Sequence, residues 1–136
     1  MFEELSITFE NPATDPMGHG EVSGRLTCLR DSLRLQFKQK DRAFRKHETR
    51  VVDFEYREVV KLEVESKWFR PARALLETRS MEKLEDFPGG EVGRIEMFLE
   101  KSSVDVARKM VGVIDFQRSE ELLAESEDRM RRDPES

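Results

Sequence analysis

The sequence predicts a mainly β protein of the α+β class. Its expected form is a strongly bent antiparallel sheet, or partly open barrel, of about seven strands capped by one C-terminal amphipathic helix. Short runs of alternating apolar and polar residues fill most of 6–100, which is the two-residue period of half-buried strands. After Ser102 and Ser103 the apolar spacing changes to three and four residues, as in an amphipathic helix. A charged helical tail completes the prediction.

The length and composition are those of one domain. The chain has 136 residues, of which 37% are hydrophobic and 39% charged, so a small core lies under a charged surface. Nine Phe and one Trp help to fill that core. We expect a single domain over 1–116, with its core at about 20–115, and a helical or frayed tail over 117–136.

Four alternating runs predict the strands of the first half. A loop over 11–20 separates the first two runs, and Asp31 with Ser32 is expected to make a tight turn. A basic segment at 38–50 is expected to form a hairpin tip. The residues on the inner face of the four strands are Leu5, Ile7 and Phe9; Val22, Gly24, Leu26 and Cys28; Leu33, Leu35 and Phe37; and Val52, Phe54 and Tyr56.

Three further strands follow a short kink near Arg57 and Glu58. Their inner faces are expected to carry Val60, Leu62 and Val64; Ala74, Leu76 and Thr78; and Ile95, Met97 and Leu99. Leu75 then faces outward or marks a bulge. Between the last two strands, 87–90 (FPGG) predicts a type II turn, because Pro presets φ and Gly supplies a positive φ.

The C-terminal region predicts two helical segments. Val104, Ala107, Val111 and Ile114 line one face of the first, which opens after a serine close to a capping box. A second helix is expected to begin at Ser119 and to end before Pro134. Its acid-before-base pairs at four-residue spacing are Glu125 with Arg129, Glu127 with Arg131, and Asp128 with Arg132.

Two segments resemble bacterial pleckstrin-homology-like and GRAM-like domains. The first is 53–64 (DFEYREVVKLEV), a strand, kink and strand; the second is 93–99 (GRIEMFL) with the helix at 102–114. The resemblance covers about 20–115. It implies a seven-stranded bent sheet capped by one helix, and a domain that binds phosphoinositides, peptides or other proteins. Lipid-binding members carry a basic signature in the first hairpin, whereas the basic cluster of this chain lies one hairpin later.

The basic segment is a candidate site for anions or lipid head groups. It has a net charge of +4, with Phe44 at its tip, whereas 119–136 has a net charge of −4. The alternative is a solvated hairpin whose charges protect a sheet edge. The candidate residues are Lys38, Lys40, Arg42, Arg45, Lys46 and Arg50.

A second candidate site is an aromatic pair between two bases, Lys67, Trp68, Phe69 and Arg70. Trp and Arg are enriched at the energetic centres of protein interfaces, so this cluster is a candidate protein interface. In the alternative interpretation, one ring packs in the core while the other covers the helix.

The sequence contains no pattern typical of an enzyme, a metal site or a cofactor site. It has no nucleophile elbow and no glycine-rich phosphate loop, and its single cysteine, Cys28, excludes an intrachain disulfide. His19 with Met17 and Cys28 could bind a soft metal, but we expect a loop histidine and a core cysteine. The net charge of −5 argues against nucleic acid, and the N-terminus lacks the pattern of a signal peptide.

We therefore expect a cytoplasmic, non-catalytic binding or scaffold domain without a cofactor. Its expected partner is another protein or a second copy of itself, reached through a strand edge or through 67–70. The alternative is a peripheral membrane adaptor that binds anionic lipid head groups at the inner face of the membrane through 38–50.

Overall fold

Seven strands and one long helix make up the described part of the chain. The structure is a computed structural model, and it describes residues 2–12, 21–40 and 49–132. Short 3-10 helices lie at Tyr56–Glu58, Met81–Leu84, Gly90–Val92 and Lys101–Ser103. In order, the main elements are β1 (Leu5–Asn11), β2 (Glu21–Cys28), β3 (Leu33–Lys40), β4 (Arg50–Phe54), β5 (Val59–Glu65), β6 (Ala72–Thr78), β7 (Arg94–Leu99) and α1 (Val104–Arg132).

The strands form two antiparallel sheets. The first has the order β1-β2-β3-β4 and the second the order β5-β6-β7, so every ladder in the described ranges joins consecutive strands. β1 also contacts β7, and α1 packs against β1, β5 and the 3-10 helix at Tyr56–Glu58. The predicted class, a mainly β fold with a C-terminal helix, is confirmed. The strands form two sheets, so the predicted strongly bent single sheet or partly open barrel is not confirmed.

The core lies between the sheets, where the inward residues of each strand meet. Phe9, Gly24 and Phe37 are opposite one another on β1, β2 and β3. Phe87, from the connection between β6 and β7, packs its ring against both phenylalanines, with centroid distances of 6.1 Å to Phe9 and 5.0 Å to Phe37. Gly24 makes room for this cluster, since a Cβ there would lie 2.7 Å from the ring of Phe9.

Two predicted connections are confirmed and one is displaced. Gly89 has φ 82° and ψ 3°, and the N–H of Gly90 donates to the carbonyl of Phe87 at 2.8 Å, which is the type II turn that FPGG predicts. The kink before β5 is the 3-10 helix at Tyr56–Glu58. The turn between β2 and β3 is at Arg30 and Asp31, one residue earlier than predicted, because Leu29 and Ser32 close it with a backbone hydrogen bond.

The predicted inner face of β5 is wrong at its first position. Val59 pairs with Thr78 and Lys61 with Glu77, so Val60 is the extra residue of a bulge. The bulge turns Val59 into the core and leaves Val60 exposed. Alternation resumes after it, and Leu62 is buried as predicted.

The C-terminal region is one helix and not two. α1 continues through Ser119 to Arg132, so the predicted helix start at Ser119 is wrong. Its buried residues are Val104, Ala107, Met110 and Ile114, with Met110 in the place expected for Val111. No helix in the described ranges has both the length and the apolar character needed to cross a bilayer.

Candidate functional site

The connection between β5 and β6 presents two aromatic rings to solvent. Trp68 and Phe69 occupy the centre of a turn in which the N–H of Arg70 donates to the carbonyl of Lys67 at 3.2 Å. Trp68 is 88% exposed and Phe69 57% exposed. We call these four residues the aromatic turn. The interpretation that placed one ring in the core is wrong, because the central positions of a tight turn project away from the strands that it joins.

Contacts within and behind the aromatic turn hold its shape. The Lys101 ammonium, from the segment before α1, donates to the carbonyls of Lys67 and Trp68, both at 3.1 Å. The two rings meet edge to face, with centroids 5.5 Å apart and an interplanar angle of 76°. The Arg70 guanidinium lies 5.2 Å from the centroid of Phe69. The rings are therefore arranged before any partner arrives.

The charges beside the aromatic turn leave its cations available. Arg73 binds the carboxylates of Glu65 and Glu96, at 2.8 and 2.5 Å. The hydrogen bond from Arg73 holds the pKa of Glu65 below its usual range. Lys67 reaches Glu65 only at 3.8 Å and is half exposed. The rings are thus flanked by the positive charges of Lys67 and Arg70.

The basic segment is only partly within the described residues. Lys38 is an exposed residue of β3, and Lys40 ends that strand. Arg50 opens β4 opposite Phe37, and its guanidinium pairs with the carboxylate of Asp86 at 2.9 Å. The other three predicted residues, Arg42, Arg45 and Lys46, lie outside the described residues.

Lys38 borders an open cleft of about 640 Å³ that is lined by β1, β2, β3 and the end of β7. Arg25 is the other base in its lining, and Glu10 and Glu100 are the acids. Two positive and two negative side chains line the cleft, so their formal charges cancel. A cleft without net positive charge does not favour an anionic ligand.

The chemistry-bearing side chains do not converge in the described residues. No group of three or more His, Cys, Asp or Glu in 2–12, 21–40 and 49–132 could hold a metal ion. His19 and Met17, which the sequence analysis considered with Cys28 as a soft-metal site, lie outside those ranges. Cys28 is buried as predicted. Burial, only partly offset by a hydrogen bond from Tyr56, raises the pKa of its thiol to about 11, so it is neutral and unreactive at neutral pH.

Two structural features were not predicted from the sequence. Lys101 supports the aromatic turn, but its partners are backbone carbonyls more than thirty positions away, which no local pattern reveals. The second feature is an exposed apolar stripe on α1, formed by Phe116, Leu123 and Met130. Its seven-residue spacing was readable in the sequence.

Comparison of this chain with protein-family models, with curated proteins and with solved structures finds no match.

Proposed function

We propose that this chain is a non-catalytic protein-binding module, and that the aromatic turn inserts into an apolar pocket of a partner protein. The observation that carries the proposal is the exposure of Trp68 and Phe69 together at one turn. Twenty-four hydrophobic side chains of the described residues are buried in the core, which therefore does not require these two rings. Two adjacent exposed rings therefore suggest an interaction site.

The energetics favour Trp68 as the anchor. An aromatic side chain buries about 150–250 Å², which at about 25 cal/mol/Å² contributes about 4–6 kcal/mol before the costs of association are subtracted. Those costs include the ordering of loops, and here Lys101 and the edge-to-face ring contact already order the turn. Lys67 and Arg70 add a positive rim, so the fitting pocket is apolar with acidic residues at its edge.

The proposed architecture is pleckstrin-homology-like. What supports this is the order of the strands, four in one sheet and three in the next, followed by a C-terminal helix that packs against β1 and β5. In such a domain the sheets and the helix act as a rigid support, and connections between strands carry the binding residues.

The alternative, a peripheral membrane adaptor, has less support. Among the described bases of 38–50, Arg50 is paired with Asp86, and Lys38 shares its cleft with two carboxylates. The chain as a whole carries a net charge of −5, which an anionic surface repels. Co-sedimentation with anionic vesicles tests this alternative.

Intrinsic fluorescence is the direct test, because Trp68 is the only tryptophan of the chain. Affinity capture from cell extract with the wild type, W68A and V92A first selects the proteins that require Trp68. Val92 is the matched control, since it is an exposed apolar residue of another connection. A protein that W68A loses and V92A retains is then purified and titrated against the wild type.

We expect that protein to shift the Trp68 emission to the blue, and W68A to bind it at least about 30-fold more weakly. A second measurement, co-sedimentation with anionic phospholipid vesicles at low and physiological salt, detects membrane binding through 38–50 whether or not Trp68 takes part. If the chain sediments with the vesicles at low salt and no captured protein requires Trp68, the membrane function replaces the proposal. If W68A and V92A capture the same proteins and nothing shifts the emission, the proposal is wrong.

A further inference from the structure

The outer face of α1 carries large apolar side chains at regular spacing. Phe116, Leu123 and Met130 are 62%, 56% and 71% exposed. They are seven residues apart, which places them two turns, or about 10.5 Å, from one another along one side of the helix. We call these three residues the helix stripe.

The opposite face of α1 makes the contacts with the rest of the chain. Ile114 is fully buried. Beyond it, Arg118 donates to the carbonyls of Val59 and Val60, and Glu121 accepts the N–H of Arg57 at 3.0 Å. Successive residues of a helix turn by about 100°, so this face lies about 180° from the helix stripe. The stripe therefore points away from both sheets.

Small residues alternate with the helix stripe. Gly112, Ser119 and Ser126 are exposed and are also seven residues apart. Ser119 and Ser126 follow Phe116 and Leu123 by three positions, and Gly112 precedes Phe116 by four. Large and small residues thus occupy the a and d positions of a heptad repeat. A helix that inserts large side chains over small ones can approach a neighbour closely.

We propose that α1 pairs antiparallel with α1 of a second copy of this chain. When two helices run in opposite directions, each layer of the interface combines an a residue of one with a d residue of the other. A two-fold axis then makes every contact occur twice. We choose the register in which each large residue of one helix packs on a small residue of the other. Phe116 then faces Ser126 of the second copy, Leu123 faces Ser119 of the second copy, and Met130 faces Gly112 of the second copy.

The charges beside the stripe fit the same register. Asp115 lies next to Arg129 of the second copy, and symmetry repeats this pair. Both side chains are solvent-exposed, and Asp115 also contacts Arg118 of its own helix at 3.4 Å. Leu122, also partly exposed, meets its own counterpart on that flank. A parallel pair would instead bring Asp115 toward Glu120 of the second copy, which is a contact between like charges.

The antiparallel arrangement leaves one opposing term. Glu120 approaches its own counterpart on the other flank, where both carboxylates remain at the solvent edge. Replacing Glu120 with Gln should therefore strengthen the dimer, whereas the other variants proposed below should weaken it or leave it unchanged.

In the proposed assembly each helix has its own sheets behind it, so the order across the assembly is sheets, helix, helix, sheets. Glu125, which pairs at 3.6 Å with Arg57 of the 3-10 helix before β5, is the last residue of α1 in a described ion pair with another element. The two helices would overlap from 112 to 130, a length of about 27 Å, which includes the helical turns that follow Glu125.

Analytical ultracentrifugation of the full chain over a wide concentration range tests the proposal. We expect the wild type to approach twice its chain mass of 16.0 kDa as concentration rises. L123D should raise the dissociation constant at least tenfold. A124D is the matched control, because it adds the same charge one residue away, about 100° off the interface, and should leave the constant nearly unchanged.

The charge pair tests the direction of the helices. D115R and R129D should each weaken the dimer about three- to tenfold, and the double variant D115R/R129D should regain the wild-type constant. E120Q should tighten it. The proposal is overturned if the wild type is a monomer at every concentration, or if L123D and A124D change the dissociation constant equally. The antiparallel register is overturned if D115R/R129D weakens the dimer by the sum of the two single effects.

This interface does not depend on the aromatic turn. W68A should dimerise as the wild type does, and L123D should still bind any partner that requires Trp68. Failure of one proposal thus leaves the other standing.

Discussion

The side-chain carbonyl of Asn11 accepts a hydrogen bond from the backbone N–H of Phe98 at 2.9 Å. The amide nitrogen of the same side chain donates to the carbonyl of Glu96 at 2.6 Å. Within the described ranges, no backbone ladder joins β1 to β7. Asn11 therefore offers β7 a donor and an acceptor, as a neighbouring strand would, and ties the two sheets together.

Replacing Asn11 with Ala should destabilise the protein by about 1–3 kcal/mol. The change leaves the N–H of Phe98 and the carbonyl of Glu96 without this partner at a partly buried junction. Chemical denaturation measures the free energy of unfolding, with E10A, an exposed neighbour on β1, as the control. Equal midpoints for N11A and E10A would show that Asn11 does not join the sheets.

The sequence predicts local structure well and long-range polar contacts poorly. The FPGG turn and the inner face of β3 follow from φ preferences and two-residue alternation, which are properties of neighbouring residues. From the sequence, Asn11 is predicted only as the first residue of a loop, because its hydrogen-bond partners lie more than eighty positions away.

The prediction of two C-terminal helices failed for the same reason, because polar contacts over a long sequence distance were not predicted. Beyond Ile114 the docked residues of α1 are polar. Arg118 and Glu121 bind backbone groups near β5, so the apolar pattern thins while the helix remains attached. A prediction from hydrophobic spacing ends the domain at that point. The aromatic turn was identified as a candidate site because its residue types are distinctive, but its exposure required the fold.

Gly24 should not tolerate a side chain. A Cβ there would lie 2.2 Å from the carbonyl oxygen of Gln36 and 2.7 Å from the ring of Phe9. We expect G24A to lower the free energy of unfolding by at least about 2 kcal/mol, because backbone and core must move apart. The control is Q39A, at an exposed position of β3, which should change the free energy of unfolding by less than about 0.5 kcal/mol. A harmless G24A would contradict the close approach of β2 and β3.

Glu58 should make stability depend on pH. Burial alone would raise the pKa of its carboxyl group, but hydrogen bonds from Lys83, Ser80 and the N–H of Glu55 outweigh burial and hold the pKa below its usual value. The bound carboxylate links the 3-10 helix before β5 to the one after β6.

The lowered pKa determines how the free energy of unfolding changes with pH. The stabilisation is fully present above the pKa of the unfolded chain, near 4.5, and is lost as pH falls through the folded value. E58Q should cost about 1–3 kcal/mol at pH 7, and the gap to the wild type should close as the pH falls below 4.5. Denaturation from pH 3 to 7 measures this gap. E82Q, an exposed neighbour, is the control, and a constant gap for E58Q would refute the linkage.

Thr78 should be replaceable by Val with a gain in stability. Its side chain is buried, and its hydroxyl has no hydrogen-bond partner among the described residues. Val has nearly the same shape without the polar atom, so T78V should raise the free energy of unfolding by about 1 kcal/mol. Thr27 is the matched control, because it is equally buried but donates to the hydroxyl of Ser6 at 3.2 Å. T27V should destabilise, and a loss of stability in both variants would mean that the Thr78 hydroxyl is bonded in solution.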